Sequence, residues 1–381
     1  GWSPNSLMTG DWDQAADRLA AEQLRSEWRP FRITRIVDES SVIRSFHLEP
    51  ADGKGIGLHA AGQHLPIRVL PDPDGVRAVR TYTLSTAPSD GFYRISVKRQ
   101  GLVSSHLHDD LVAGDIIEAR APAGGFTIDP HEARPAVLLA AGVGITPILA
   151  MLRSIVFEGL RTRRVRPTYL FTAARTLAER AFGAEIADLV AQAGGAVRVI
   201  RLLGTTEGAV PGTDFDAEGR IDANLLRKVL PFDAYDFYMC GPPHFMQSLY
   251  DLLSDIGVPD TRIHAEAFGP ASLARREAAG ADALPPPADR PVPVAFAKSG
   301  KEARWDASAG SLLELAEARG LTPQFSCRSG SCGTCAVKVL AGKVTYPARP
   351  SAKVGPDQAL ICCAVPAAAS GGGGDRLILD V

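Results

Sequence analysis

The chain has 381 residues, 45% hydrophobic and 22% charged, with 41 Lys and Arg against 43 Asp and Glu for a net charge of -2. That length exceeds one ordinary domain, so two or three are expected. The balanced charge excludes the basic footprint of a nucleic-acid binder, and no apolar run is expected to reach the ~18–20 residues of a membrane helix.

Residues 1–29 read as an extension. Asp11 to Trp28 is rich in Ala, Leu, Glu and Arg, as in one amphipathic helix or a linker from an upstream domain. The chain opens on Gly1, as a processed form or a piece of a longer protein does. No signal peptide is visible, so the cytosol is the expected location.

Residues 30–130 read as short strands. Residues 31–37 alternate, as do 93–97, and Gly, Pro and Asp clusters separate such runs. The pattern predicts a small antiparallel β-barrel. Within it stands Arg80-Thr81-Tyr82-Thr83. An Arg suits a phosphate, a Tyr offers a flat face, and a Thr hydroxyl can hydrogen-bond a ring nitrogen. Val97-Lys98 follows on a later strand, and then Gly101-Leu102-Val103-Ser104, a glycine and a serine at a helix start. Such a start cradles phosphate.

Residues 131–270 change character. The continuous apolar run 136–141 reads as a buried parallel strand. Strands then alternate with helices, which predicts an α/β nucleotide-binding domain with a parallel sheet. The first strand runs into Gly142-Val143-Gly144-Ile145-Thr146-Pro147. Gly142 and Gly144 allow a dinucleotide close to the backbone, and Pro147 suits the first helical turn. Cys240-Gly241-Pro242-Pro243 ends a later strand. The basic run Arg161, Arg163, Arg164 and Arg166 reads as a solvated corner. Isolated His64, His106 and His108 carry no catalytic pattern.

Residues 271–291, rich in Ala, Pro and Arg, read as a semi-extended linker. Residues 292–381 suit one small α+β domain with a helix over 311–319. Of the 6 cysteines, five fall in this last quarter, which fits a metal site rather than a disulfide framework. Cys327, Cys332 and Cys335 have the C-x4-C-x2-C spacing of a plant-type [2Fe–2S] cluster, with Cys362 as the fourth ligand. Cys363 reads as its packed neighbour, although adjacency permits a swap. Gly330 and Gly333 let the loop wrap the cluster. A zinc site usually shows two C-x2-4-C halves, and only one is present.

These motifs resemble the ferredoxin–NADP⁺ reductase-type flavoproteins, in the class with a C-terminal plant-type ferredoxin domain of β-grasp fold. The resemblance covers residues 30–381. It implies that Arg80 binds flavin phosphate, Tyr82 packs on the isoalloxazine and Thr83 lies near N5. It further implies that Val97 and Lys98 line the flavin, that Gly101, Val103 and Ser104 hold the pyrophosphate, and that Phe268 lies near the ring. Thr146 and Cys240 would flank the nicotinamide, beside Gly142, Gly144, Gly241 and Pro242. Thr83, Thr146 and Cys240 are thus the catalytic candidates. The Gly-x-x-Ser-x-x-Leu-His form is closer to FAD-binding flavohaemoglobin-like reductases than to FMN-binding relatives. FAD is therefore expected, with FMN the alternative, and the donor is NADH or NADPH, with NADH favoured.

The implied activity is an NAD(P)H-dependent oxidoreductase passing electrons through FAD and the cluster to an acceptor protein, such as a Rieske-type or haem terminal oxygenase. Neither nucleic acid nor membrane is an expected partner. The alternative is a redox-sensing or electron-carrier part of a larger fusion, since segments 212–220, 296–300 and 360–363 resemble reductases fused behind a MOSC domain.

Overall fold

The computed structural model describes residues 27–69, 78–268, 273–276, 284–325, 328, 330, 333–347, 349–350, 352, 354–368 and 376–381. The helix expected over 11–28 lies outside them except for residues 27 and 28, which are not helical.

The alternating segments form β1 (Arg29–Asp38), β2 (Ile43–Pro50), β3 (His64–Val69), β4 (Ala78–Thr83), β5 (Tyr93–Lys98) and β6 (Ile116–Ala119). They pair antiparallel in the order β4-β3-β6-β1-β2-β5. A bridge between Leu84 and Ile95 joins the two outer strands and closes the barrel. Because side chains alternate between faces along a strand, Phe31, Ile33, Phe46, Leu48, Leu65 and Ile67 fill the interior. Helix α1 (Leu102–Asp109) leaves β5 and inserts Val103 and Leu107 into that core.

The second unit comprises β7 (Ala136–Ala141), α2 (Ile145–Thr162), β8 (Thr168–Ala174), α3 (Gly183–Gln192), β9 (Val197–Leu203), β10 (Ala217–Glu218), α4 (Ala223–Val229), β11 (Asp236–Gly241), α5 (Pro243–Asp255) and β12 (Ile263–Ala267). The sheet is parallel, in the order β10-β9-β8-β7-β11-β12. The chain steps outward from β7 to β9 and then returns to the other side of β7 as β11. The strand order therefore reverses between β7 and β11, and ligands bind at such a crevice. Both sheet faces are covered, by one apolar cluster around α2 and another around α5.

Two expectations are corrected here. Gly142–Thr162 is a 21-residue helical stretch of mean hydropathy 1.5, long and apolar enough to cross a membrane. Of its 18-residue apolar window 72% is buried inside the protein, which marks a core helix. Arg161, Arg163 and Arg164 are exposed, but Arg166 is buried. Its guanidinium donates to Asp236 Oδ2 at 2.8 Å and to the carbonyls of Arg134 and Asp129 at 2.7 and 2.8 Å. A buried cation persists only when its donors are used in this way.

The barrel and the parallel sheet are fastened by charge. Arg94 of β5 forks onto Glu185 of α3 at 2.9 and 3.0 Å. Arg153 of α2 reaches Asp90 at 2.6 and 3.0 Å and the same Glu185 at 2.5 Å.

The last unit holds β13 (Val292–Phe296), β14 (Lys301–Trp305), α6 (Leu312–Ala318), β15 (Ala336–Ala341), β16 (Val344–Thr345), β17 (Gln358–Leu360), β18 (Val365–Pro366) and β19 (Leu377–Leu379). Five strands pair in the order β14-β13-β19-β15-β17, and β16 pairs with β18. Ser311 caps α6 and Glu314 closes the capping box, which starts the helix where the sequence expects it. The segment before this unit is anchored at both ends. Ala274 exchanges two 3.0 Å hydrogen bonds with Gln247, and the Arg276 N–H donates to Tyr250 Oη at 2.8 Å. Pro285 and Pro286 accept from Thr345 Oγ1 and the Ala368 N–H at 2.5 and 2.8 Å.

Candidate functional site

The end of β4, the turn after β5 and the end of β12 surround a cavity of about 410 Å³. Its walls include Arg80, Tyr82, Thr83, Lys98, Gly101, Val103, Ser104, Thr146 and Phe268, so nine of the residues singled out in the sequence meet in one place. Burial pushes the Tyr82 hydroxyl up to about 12, so it stays protonated. Gly101 is extended and opens α1. Ser104 Oγ accepts from the N–H groups of Gln100 and Gly101 at 2.9 Å, which fixes the turn. The N–H groups of the first helical turn have no partner within the helix and point to an anion.

Val97 departs from expectation. Its side chain is fully buried in the barrel core, while its neighbours Ser96 and Lys98 line the cavity. The period-two alternation of β5 forbids all three from facing one side.

Two buried ionisable side chains also line the cavity. His64 on β3 pairs in register with Thr83 on β4, and its Nδ1 lies 3.8 Å from Glu266 Oε1 on β12. Both side chains are buried, and Glu266 Oε2 has no hydrogen-bond partner among the described residues. A buried, unsatisfied carboxylate oxygen facing a cavity calls for a ligand or water donor. Sequence reading passed over both: Glu266 stands two residues before Phe268, but only the register of β11 and β12 shows that it is opposite Cys240.

At the switch point, Gly142 takes a left-handed φ of 55° and starts a turn into α2. Gly144 is required for another reason. A Cβ there would stand 2.1 Å from the Cys240 carbonyl oxygen. A Cβ on Gly241 would meet the Phe245 ring at 2.6 Å. Both glycines are thus packing requirements that bring β7, α2 and β11 together. Pro147 is buried in the first turn of α2, and Thr146 Oγ1 donates to the Val143 carbonyl at 3.0 Å. Cys240 is fully buried, and burial, with the Glu266 charge second, holds its thiol well above the ordinary range. It stays a neutral thiol and lines neither cavity.

A second cavity of about 290 Å³ opens beside the first. Gly142, Val143, Ala174, Arg175, Glu179, Gly204, Arg220 and Pro242 are among its walls. Lys98 and Val143 border both cavities, so the two lie side by side. The donor set fits a flavin nucleotide in the first cavity. A cation and a helix N-terminus suit its phosphates, and an aromatic face and small hydroxyls suit its ring. The glycine turn at the switch point fits a dinucleotide in the second.

In the last unit Cys335 and Cys362 are buried in one core, with Cys363 packed against it. Ala336 pairs with Leu360, and the Ile361 N–H donates to the Cys335 carbonyl at 3.3 Å, so the end of the cysteine loop lies against the strand that delivers Cys362. Gly330 and Gly333 have φ of 73° and 76°. A Cβ on Gly330 would come 2.7 Å from Cys363 Sγ, so the loop passes directly over that residue. Cys327 and Cys332 lie outside the described residues. The convergence of Cys335 and Cys362 beneath a left-handed glycine loop fits a thiolate-held cluster.

An oxidoreductase NAD-binding domain matches residues 138–251, and a 2Fe-2S iron-sulfur cluster binding domain matches 296–367. A flavohemoprotein of Halalkalibacterium halodurans is 36% identical over 266 residues, 66% of this chain and 63% of that protein. The chain thus spans less than two thirds of the length of such relatives. The FAD/NAD-binding domain of nitric oxide dioxygenase from Vibrio cholerae is 35% identical, with a TM-score of 0.56, covering 64% of this chain and 99% of the other. Phthalate dioxygenase reductase is 25% identical with a TM-score of 0.55 and covers 93% of this chain and 98% of its own.

Proposed function

We propose that this chain, which belongs to the ferredoxin–NADP⁺ reductase-type flavoproteins with a C-terminal [2Fe–2S] domain, passes electrons from NAD(P)H to the metal centre of a terminal oxygenase. The observation that carries this reading is the adjacency of two cavities: the one lined by Arg80, Tyr82 and Thr83 and the one at the switch point share Lys98 and Val143 as walls. When bound, FAD and the cluster supply the conversion of one two-electron donor into single-electron deliveries.

The residues of the chain bind and orient. Arg80 and the open N–H groups of α1 would hold the flavin phosphates, and Tyr82 and Phe268 would offer aromatic faces to the ring. Thr83 from the barrel and Thr146 from the parallel-sheet unit both line the cavity, and reacting atoms need a separation of about 3–3.5 Å. The neutral, buried thiol of Cys240 adds bulk behind that point without adding charge. Cys327, Cys332, Cys335 and Cys362 would hold the cluster through their thiolates. An oxygenase as acceptor is supported by the likeness to phthalate dioxygenase reductase across all three units.

Cys335→Ser tests the reading. The variant should keep its flavin and its NAD(P)H-to-ferricyanide activity, which needs the flavin alone, and lose reduction of cytochrome c. Loss of both activities in a folded, flavin-loaded variant would refute separate electron stations. Failure of NAD(P)H to bleach the purified wild-type protein would refute the function itself.

A further inference from the structure

The second cavity carries a charge arrangement that discriminates between the two pyridine nucleotides. β8 ends at Ala174, and Arg175 continues from it into the cavity wall beside Gly204. The carboxyl ends of such strands are where an acid meets a ribose 2′-hydroxyl, or an Arg meets a 2′-phosphate. Here the Arg is already engaged. Arg175 Nε donates to Glu179 Oε2 at 3.0 Å and Nη2 to Oε1 at 2.7 Å, which uses the fork that bidentate recognition of phosphate needs.

The carboxylate is held in place by its own turn. Leu177–Glu179 is a single turn of 3-10 helix capped by Thr176, whose hydroxyl accepts from the Glu179 N–H at 3.4 Å. The Ala178 carbonyl accepts from the Ser41 N–H at 2.9 Å, which fastens this turn to the barrel. The Glu179 side chain is 20% exposed, against 77% for Arg175. The acid is therefore the more fixed member of the pair, and it lines the cavity.

We propose that Glu179 makes this protein selective for NADH over NADPH, by occupying the Arg175 fork that a 2′-phosphate would otherwise claim. The proposal rests on the reading that this cavity takes a pyridine nucleotide. A ribose hydroxyl donates to a carboxylate, whereas a phosphate of about −1.5 to −2 charge is repelled by it. Arg220, exposed on the same cavity, is the cation that would favour a phosphate instead.

Calorimetric titration of the flavin- and cluster-loaded protein with NAD⁺ and NADP⁺, and with ADP and 2′,5′-ADP, tests it without turnover. Wild type should bind NAD⁺ and ADP about tenfold more tightly than their 2′-phosphorylated counterparts, the scale of one partly exposed charge contact. Glu179→Gln should erase most of that ratio by strengthening NADP⁺ binding, and Arg220→Ala should leave NAD⁺ preferred. Equal or tighter NADP⁺ binding by wild type, or an unchanged ratio in Glu179→Gln with its thermal transition intact, would overturn the assignment. Absence of binding by all four nucleotides would overturn the functional reading beneath it.

Discussion

Gly144→Ala probes the joint on which the two adjacent cavities depend. The backbone of Gly144 is ordinary, with φ of -60°, so alanine meets no torsional penalty there. The cost is steric. The new Cβ would lie 2.1 Å from the Cys240 carbonyl oxygen, 2.4 Å from its carbon and 2.7 Å from the Gly241 nitrogen. All three are backbone atoms of a central strand, paired to β7 and β12, so none can swing aside. Either α2 moves outward or β11 shifts, at ~1–3 kcal/mol for overpacking. At about 2–4 °C per kcal/mol for a unit of this size, the melting temperature should fall by roughly 2–12 °C. Displacing this joint by about 1 Å also separates Thr146 from the flavin cavity, and a misplacement of that size costs on the order of 10²-fold in rate. Stopped-flow reduction of the flavin by NADH and a thermal melt read both effects. Gly55→Ala is the control, because its Cβ meets nothing within 4 Å, its φ is not left-handed and it lines neither cavity. Flavin reduction at the wild-type rate by a Gly144→Ala protein of unchanged melting temperature would refute the steric account.

Two further outcomes follow from the buried charges. Asp236→Ala strips Arg166, whose side chain is 1% exposed, of its carboxylate. An uncompensated buried charge costs about 3–5 kcal/mol, so the melt should drop on the order of 10 °C, and a shift under about 2 °C would contradict the role given to this pair. His47 bears on acid stability. Burial, followed by the Arg94 and Arg35 charges, lowers its pKa from 6.5 to about 4. The unfolded chain therefore binds this proton more readily than the folded one. The contribution is complete above pH 6.5 and is lost as pH falls toward 4. Replacing His47 with Gln should flatten the stability curve of the protein over that window, as measured by urea unfolding at several pH values. A curve of the same slope would show that other groups govern it.

The parts legible in the sequence were those set by local periodicity. Alternation over 31–37 and 93–97 gives β1 and β5, and the apolar run 136–141 gives β7 with a glycine turn at its end. The string from Arg80 to Thr83 was readable because one strand carries it into one cavity. What escaped depended on register or partners. His64 joins the cavity because it faces Thr83 across β3 and β4, and Glu266 because β12 lies beside β11. The family resemblance groups Val97 with Lys98, although neighbours on a strand face opposite ways. Arg166 sits in a run of exposed arginines, and only the return of the chain at β11 supplies the Asp236 that buries it.

The anchoring on either side of the proline-rich segment sets a leash. Eight Cα–Cα steps separate Arg276, held on one body, from Leu284, next to the residues held on the other. Fully drawn out, they reach roughly 29 Å. The cysteine-bearing body thus cannot drift away from its electron source, and the local concentration of one toward the other is of millimolar order whatever the dilution. Internal delivery should then be first-order at any protein concentration, with dilution slowing only the meeting with the outside acceptor.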